Sequence, residues 1–143
     1  MTNIPTEPIL YVEDEENDVF FMEFAFTSIG PPHPLQVARD GRQGLDYLAG
    51  NGQYADRAKH PPPCLVLLDL NLPVRSGFEI LRWLRQQPQF QALPVLVFTA
   101  SSRESDRETA LHLGANEFIT KPSNMAKLPL LLKGILDRWL VPQ

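Results

Sequence analysis

Glu13 and Asp14, Asp69, Thr99 and Lys121 each follow or end an apolar run, and their types can do chemistry together. Carboxylates gathered at one place push one another's pKa up unless a cation compensates them. A small hard divalent ion is the natural partner. Magnesium takes one or two carboxylates plus water and a phosphate oxygen, which leaves coordination positions for a phosphoryl group. Zinc is disfavoured, because His33, His60 and His112 are scattered without ligand spacing and Cys64 sits alone in an apolar stretch. Asp69 ends the most hydrophobic run, Cys64 to Leu68, where its carboxylate would be held rigidly. A carboxylate can attack phosphorus and form an acyl phosphate. Such transfer needs in-line placement and neutralised charge more than covalent help. Lys121 supplies a compact cation, Thr99 a hydroxyl, and Ala100 a side chain small enough to leave an approach path.

The elements that must carry these residues alternate along the chain. Short apolar runs read as strands over Ile9 to Val12, Leu35 to Ala38, Cys64 to Leu68, Val95 to Thr99 and Glu117 to Thr120. The third and fourth are continuously apolar, as expected of central parallel strands covered on both faces. Between them lie helical stretches. Asn17 to Ile29 places Val19, Met22, Phe26 and Ile29 on one stripe, with Phe20 and Phe24 beside it. Ser76 can cap a helix carrying Phe78, Leu81 and Leu84 that Pro88 ends, and Ser101 or Ser102 can cap Arg103 to Leu113, which Gly114 stops. From Leu128 to Leu140 apolar residues recur at helical spacing, with Pro129 tolerable only in the opening turn. Asn51 to His60, closed by Pro61 to Pro63, reads as an enlarged surface loop. Five β/α units predict an α/β fold, a doubly wound five-stranded parallel sheet of flavodoxin-like order 2-1-3-4-5. Ligands of such sheets sit beyond the carboxyl ends of the strands, which is where the candidate residues fall.

Composition narrows the class. The chain has 143 residues, one cysteine and a net charge of −4, which excludes a disulfide framework and suits one domain with a sizeable core. No apolar run approaches the ~20 residues of a membrane span, and Met1 to Pro8 lacks the features of a signal peptide, so a cytoplasmic setting without membrane contact is expected. Residues 1–38 carry a charge of −7 and no Lys or Arg, against +3 for the remainder. This argues against a nucleic-acid surface in the first quarter, and no nucleic-acid partner is expected.

The phrases Tyr11-Val12-Glu13-Asp14, Leu68-Asp69-Leu70-Asn71-Leu72-Pro73, Phe98-Thr99-Ala100-Ser101 and Phe118-Ile119-Thr120-Lys121-Pro122 resemble, in order, the receiver domain of bacterial two-component response regulators. The resemblance runs from Pro8 to the end, leaving residues 1–7 as an N-terminal extension and no room among these residues for an output domain. It implies that Asp69 accepts a phosphoryl group from a sensor histidine kinase in a phosphorelay. It implies that Glu13 and Asp14 hold Mg2+ with Asp69 and the backbone carbonyl of Asn71. Thr99, Ala100 and Lys121 would meet the phosphoryl group, and Phe118 would take the place of the aromatic switch residue. It also implies a cis bond between Lys121 and Pro122, which X-Pro permits at ~0.5 to 1 kcal/mol. Glu13 stands where Asp is commoner and would reach a metal through water; Phe118 stands where Tyr is commoner and has no hydroxyl to use. The long segment before strand three and the ending Arg138-Trp139-Leu140-Val141-Pro142 resemble the stand-alone regulators paired with phytochrome-type kinases. Those often form homodimers through the fourth and fifth helical faces, which gives Trp139 either a contact or a core role.

Other readings fit the residues less well. An aspartyl-phosphate phosphatase wants a second Asp two residues after the nucleophile, where Asn71 stands. A flavin carrier wants a phosphate cradle after strand one, where Glu13 to Glu16 would repel it. A constitutive binding module that never uses its phosphorylation site stays open. Singly, Glu13 to Asp18 would read as a solvated acidic turn with Asn17 or Asp18 capping helix one, Thr99 as ordinary strand chemistry, and Lys121 as a surface lysine. On the receiver resemblance the protein is expected to be no enzyme acting on other molecules; it would catalyse only its own phosphotransfer and dephosphorylation.

Overall fold

The computed structural model describes residues 7–140. All of the expected N-terminal extension except Glu7, and the Val141-Pro142 ending, lie outside them. The elements are β1 (Ile9–Val12), α1 (Glu16–Ile29), β2 (Leu35–Ala38), α2 (Gly41–Ala49), β3 (Leu65–Leu68), α3 (Gly77–Arg85), β4 (Val95–Thr99), α4 (Glu104–His112), β5 (Glu117–Thr120) and α5 (Leu128–Trp139). All strand pairs are parallel and the order is β2-β1-β3-β4-β5, so the expected fold is borne out. Among the described residues no helix is long and apolar enough to cross a membrane.

Alternation along the central strands divides the core in two. Tyr11, Leu65, Leu67, Leu96 and Phe98 join Val19, Met22 and Phe26 of α1 and Leu132, Ile135 and Leu136 of α5 on one face. Leu10, Val12, Val66, Leu68, Val95 and Val97 meet Tyr47 and Leu48 of α2, Ile80, Leu81 and Leu84 of α3, and Ala110 of α4 on the other. Strands β1, β3 and β4 are buried throughout, which explains why they read as unbroken apolar runs.

Helix boundaries follow the capping chemistry, with local corrections. Ser76 caps α3 as expected, in a reciprocal box with Glu79. No serine side chain caps α4: its N-cap position is Arg103, and Ser101 Oγ accepts from Arg103 N while donating to Asp106 at 2.6 Å. Ser101 therefore ties the β4–α4 turn together from outside the helix. Neither Asn17 nor Asp18 caps α1, which begins after Glu15. Phe20 and Phe24 lie outside the buried stripe of α1, at 62% and 59% exposure.

The enlarged loop after α2 is ordered by Arg57. Its guanidinium donates to the carbonyls of Tyr47 and Leu48 at the end of α2, and it stands 5.6 Å from the Tyr47 ring centroid. The Tyr47 hydroxyl donates to Pro61 O at 2.7 Å, closing the loop against the sheet.

Candidate functional site

Three of the candidate residues lie one position beyond a strand and are fixed by extensions of the ladders. Glu13 N donates to Ala38 O at 2.9 Å, Asp69 N to Val12 O at 3.2 Å, and Lys121 N to Thr99 O at 2.7 Å. Strand pairing thus sets the backbone of each functional side chain. Gly77 completes the floor: a Cβ there would stand 2.2 Å from Asp69 O, so only glycine lets α3 start this close behind Asp69. Its N–H donates to Leu70 O at 3.0 Å.

The side chains converge on one ammonium. Lys121 Nζ donates to Glu13 Oε1 at 2.6 Å, Asp18 Oδ2 at 2.6 Å and Asp69 Oδ2 at 3.1 Å, which uses all three of its N–H bonds. Its side chain is 9% exposed and that of Glu13 is wholly buried. Glu13 shares a sheet face with Tyr11 two residues earlier, and Tyr11 Oη donates to Glu13 Oε1 at 3.3 Å. The other Glu13 oxygen accepts from Glu15 N at 3.0 Å. Asp69 Oδ1 is likewise engaged, by Leu70 N at 2.7 Å and Asn71 N at 3.4 Å, which leaves Oδ2 as its freer oxygen.

Charge follows from this burial. Desolvation pushes the Glu13 carboxyl up to about 7, against the opposing hydrogen bond from Lys121, and the nearby Asp69 charge adds to the rise. Burial alone would lower the Lys121 pKa, but its bonds to Asp18 and Glu13 and the charge of Asp69 outweigh that and raise it. The lysine is a fixed cation. Burial, with the same carboxylates, also raises the Tyr11 hydroxyl, so it stays a donor.

The structure brings Glu13, Asp69 and Lys121 together and adds Asp18, which the sequence reading treated only as a cap. Asp14 and Asn71 stand exposed at the same rim, as does Ala100. Thr99 is fully buried, and its hydroxyl accepts from Ser101 N at 3.4 Å. Phe118 is buried against the α2, α3 and α4 face. Trp139 packs against the other core, and its Nε1 donates to Glu117 at 2.7 Å beside an Arg138–Glu117 ion pair of the same length. The cis bond expected at Lys121–Pro122 is not present: every peptide bond among the described residues is trans. Trans is the ground state of X-Pro bonds, and Lys121 reaches all three carboxylates with it.

Among the described residues no three His, Cys, Asp or Glu side chains converge in a ready metal cage. Glu13, Asp18 and Asp69 instead each turn one oxygen to the Lys121 ammonium. The donors that remain at the rim are hard oxygens, the Asp14 carboxylate, Asp69 and the Asn71 carbonyl. They fit a divalent ion that needs only one or two carboxylates and completes its shell with water.

A buried carboxylate at the end of β3, an acidic corner after β1 and a lysine after β5 thus meet at the carboxyl edge of a doubly wound sheet. The chain belongs to the response regulator receiver domain family, whose model matches residues 9–133. Response regulator Rcp1 of Synechocystis sp. is 35% identical over 136 residues, which is 95% of this chain and 90% of Rcp1. Among solved structures, the phosphorylated cyanobacterial phytochrome response regulator RcpA superposes with a TM-score of 0.87 at 34% identity over 95% of both chains. The Mn2+-bound form of Rcp1 superposes with a TM-score of 0.84 at 34% identity over 96% of both. Phosphorylation on an aspartate by a sensor kinase is the role of this family, and its receivers bind a divalent metal ion.

Proposed function

We propose that Asp69 is the phosphoacceptor of this chain. The observation that carries the reading is the state of its two oxygens: Oδ1 is held by two backbone N–H groups, and Oδ2 has only the long Lys121 contact. Oδ2 attacks phosphorus in line. An O–P bond forms, the P–N bond to the donor imidazole breaks, and the imidazole keeps the electron pair and takes a proton. The Lys121 ammonium then faces the phosphoryl oxygens with the N–H that faced Oδ2. Thr99 supplies a hydroxyl once it turns outward from its buried position, and exposed Ala100 leaves the approach open. Phe118, without a hydroxyl, answers that movement by repacking.

Asp14, Asp69 and the Asn71 carbonyl would hold a Mg2+ ion, which would supply charge neutralisation for the phosphoryl group. Glu13, with both oxygens engaged by Tyr11, Lys121 and Glu15, acts through water or through Lys121 rather than directly. The site carries out its own phosphotransfer and dephosphorylation. Similarity to Rcp1 and RcpA supports a phytochrome-type histidine kinase as donor. The signal passes as a change in conformation or in pairing of two copies across the α4–β5–α5 face, where half-buried Trp139 is pinned beside β5.

Incubation with Mg2+ and acetyl phosphate should add one phosphate to the wild-type mass and none to Asp69→Asn. Equal uptake by the two proteins would overturn the assignment. Light scattering of the same samples reads any change in assembly.

A further inference from the structure

Lys121 is the hub of the site, and the partner that distinguishes its position is Asp18. The Asp18 contact equals that of Glu13 at 2.6 Å and is shorter than that of Asp69 at 3.1 Å. Glu13 and Asp69 lie on strand ends inside the sheet, whereas Asp18 belongs to the first turn of α1 and keeps a side chain 23% exposed. It pulls from a different direction. A lysine ammonium is a point charge on a flexible four-carbon stem and settles wherever the local field takes it. With Glu13 alone beside it, that place is the next buried carboxylate, Asp69.

We infer that Asp18 is a positioning residue for Lys121: it takes one N–H, holds the ammonium toward α1, and so keeps the contact to Asp69 Oδ2 the longest of the three, which leaves that oxygen less tied up for attack. The inference rests on Asp69 being the phosphoacceptor. Asp18 exchanges no proton and touches no reacting atom. Its effect is to divide the three N–H bonds so that two anchor the side chain and the third, on the longest contact, points at the acceptor oxygen. Without its charge the ammonium closes on Asp69, binds the oxygen that must attack phosphorus and lowers its nucleophilicity. After transfer the two anchors remain, and the third N–H meets the phosphoryl group without the lysine having to move far.

The test compares the full chain as wild type, Asp18→Asn and Asp18→Glu, each with Mg2+ and acetyl phosphate. Asp18→Asn should slow phosphate incorporation about tenfold, the factor that ~1.4 kcal/mol sets. Asp18→Glu, which keeps the charge, should restore the rate to within about twofold. The 15N-resolved ammonium resonance of Lys121 should shift in Asp18→Asn and return in Asp18→Glu, a signature that loss of stability alone would not produce. Phosphorylation of Asp18→Asn at the wild-type rate would overturn the inference, and so would Asp18→Glu being as slow as Asp18→Asn. A wild-type chain that takes no phosphate would instead overturn the phosphoacceptor reading beneath it.

Discussion

The carboxyl rim of the sheet is closed in two different ways on its two sides. Between α1 and β5 the closure is ionic, and the groups that close it, Glu13, Asp18, Asp69 and Lys121, include the proposed phosphoacceptor. On the α3 and α4 side the ties come mostly from residues outside the chemistry. Gly77 packs on Asp69 O, Ser76 and Glu79 cap each other, Ser101 holds Asp106, and Thr120 Oγ1 donates to Ser101 O at 3.0 Å. The lesson is about coupling. On the proposed reading, a phosphoryl group on Asp69 would alter the ionic side directly, while the other side would keep its own bonds and move only if Thr99 and the β4–α4 turn responded.

The largest test of this contrast removes the hub. Lys121→Ala leaves Glu13 buried and facing two further carboxylates, and removing one partner of a buried ion pair costs about 3 kcal/mol. On the other side, Ser101→Ala removes a part-buried bond to Asp106 worth about 1 kcal/mol. Urea denaturation at pH 8 should separate the two midpoints clearly. Equal midpoints would mean that the ionic side is not the stronger closure.

The second test uses pH. Glu13 has its pKa raised to about 7 by burial, so between the unfolded value of 4.5 and 7 the folded chain holds a proton that the unfolded chain has released. Its contribution is therefore full below pH 4.5, falls as pH rises to 7, and is flat above; integrated at 1.36 kcal/mol per unit it amounts to roughly 3 kcal/mol. Asp106 and Glu79 work in the opposite sense. Ser101 holds the Asp106 carboxyl low and the Ser76 N–H holds the Glu79 carboxyl low, so the stability they give is lost as pH falls. Lys121, with its pKa raised, loses its contribution only in alkali. The difference between wild type and Glu13→Gln isolates the first slope: the wild type should lose stability relative to the variant from pH 4.5 to 7. A flat difference would remove the desolvated Glu13 from the comparison.

Much of this architecture was legible in the residues. Continuous apolar runs gave β3 and β4 because strands covered on both faces have no polar side to show. Strand ends gave Glu13, Asp69 and Lys121 because a parallel sheet aligns its carboxyl ends. Asp18 was not legible as a partner of Lys121, since that contact spans 103 residues and depends on how α1 leans over the sheet. Ser101 misled for a similar reason: a serine before a helix reads as a cap, and only the fold shows it reaching Asp106 instead. The isomer of Lys121–Pro122 was equally out of reach, because the two forms differ by less than ordinary packing energies.

The smallest effect lies on the α3 side, in the turn that follows Asp69. Val74 is 71% exposed and has φ +72°, in the hand that a β-branched residue avoids. Arg75 N donates to Pro73 O at 2.8 Å across it, which makes the turn the strained form of a three-residue γ-turn. The turn holds because its neighbours fix it from both ends. Pro73 O also accepts from Gly41 N at 3.2 Å, and a Cβ on Gly41 would stand 2.0 Å from Arg75 O, so the start of α2 presses against the turn. Val74→Gly removes the clash of a side chain in this hand, about 1 to 2 kcal/mol, against about 0.5 to 1 kcal/mol of added chain freedom when unfolded. The net result should be a stabilisation of about 0.5 kcal/mol, read as a higher urea midpoint. Val74→Ala keeps a Cβ and should gain less. If alanine stabilises as much as glycine, the strain resides in the β-branch and not in the backbone. The α3 side of the rim would then be closed without stored strain, and the contrast with the ionic side would rest on charge alone.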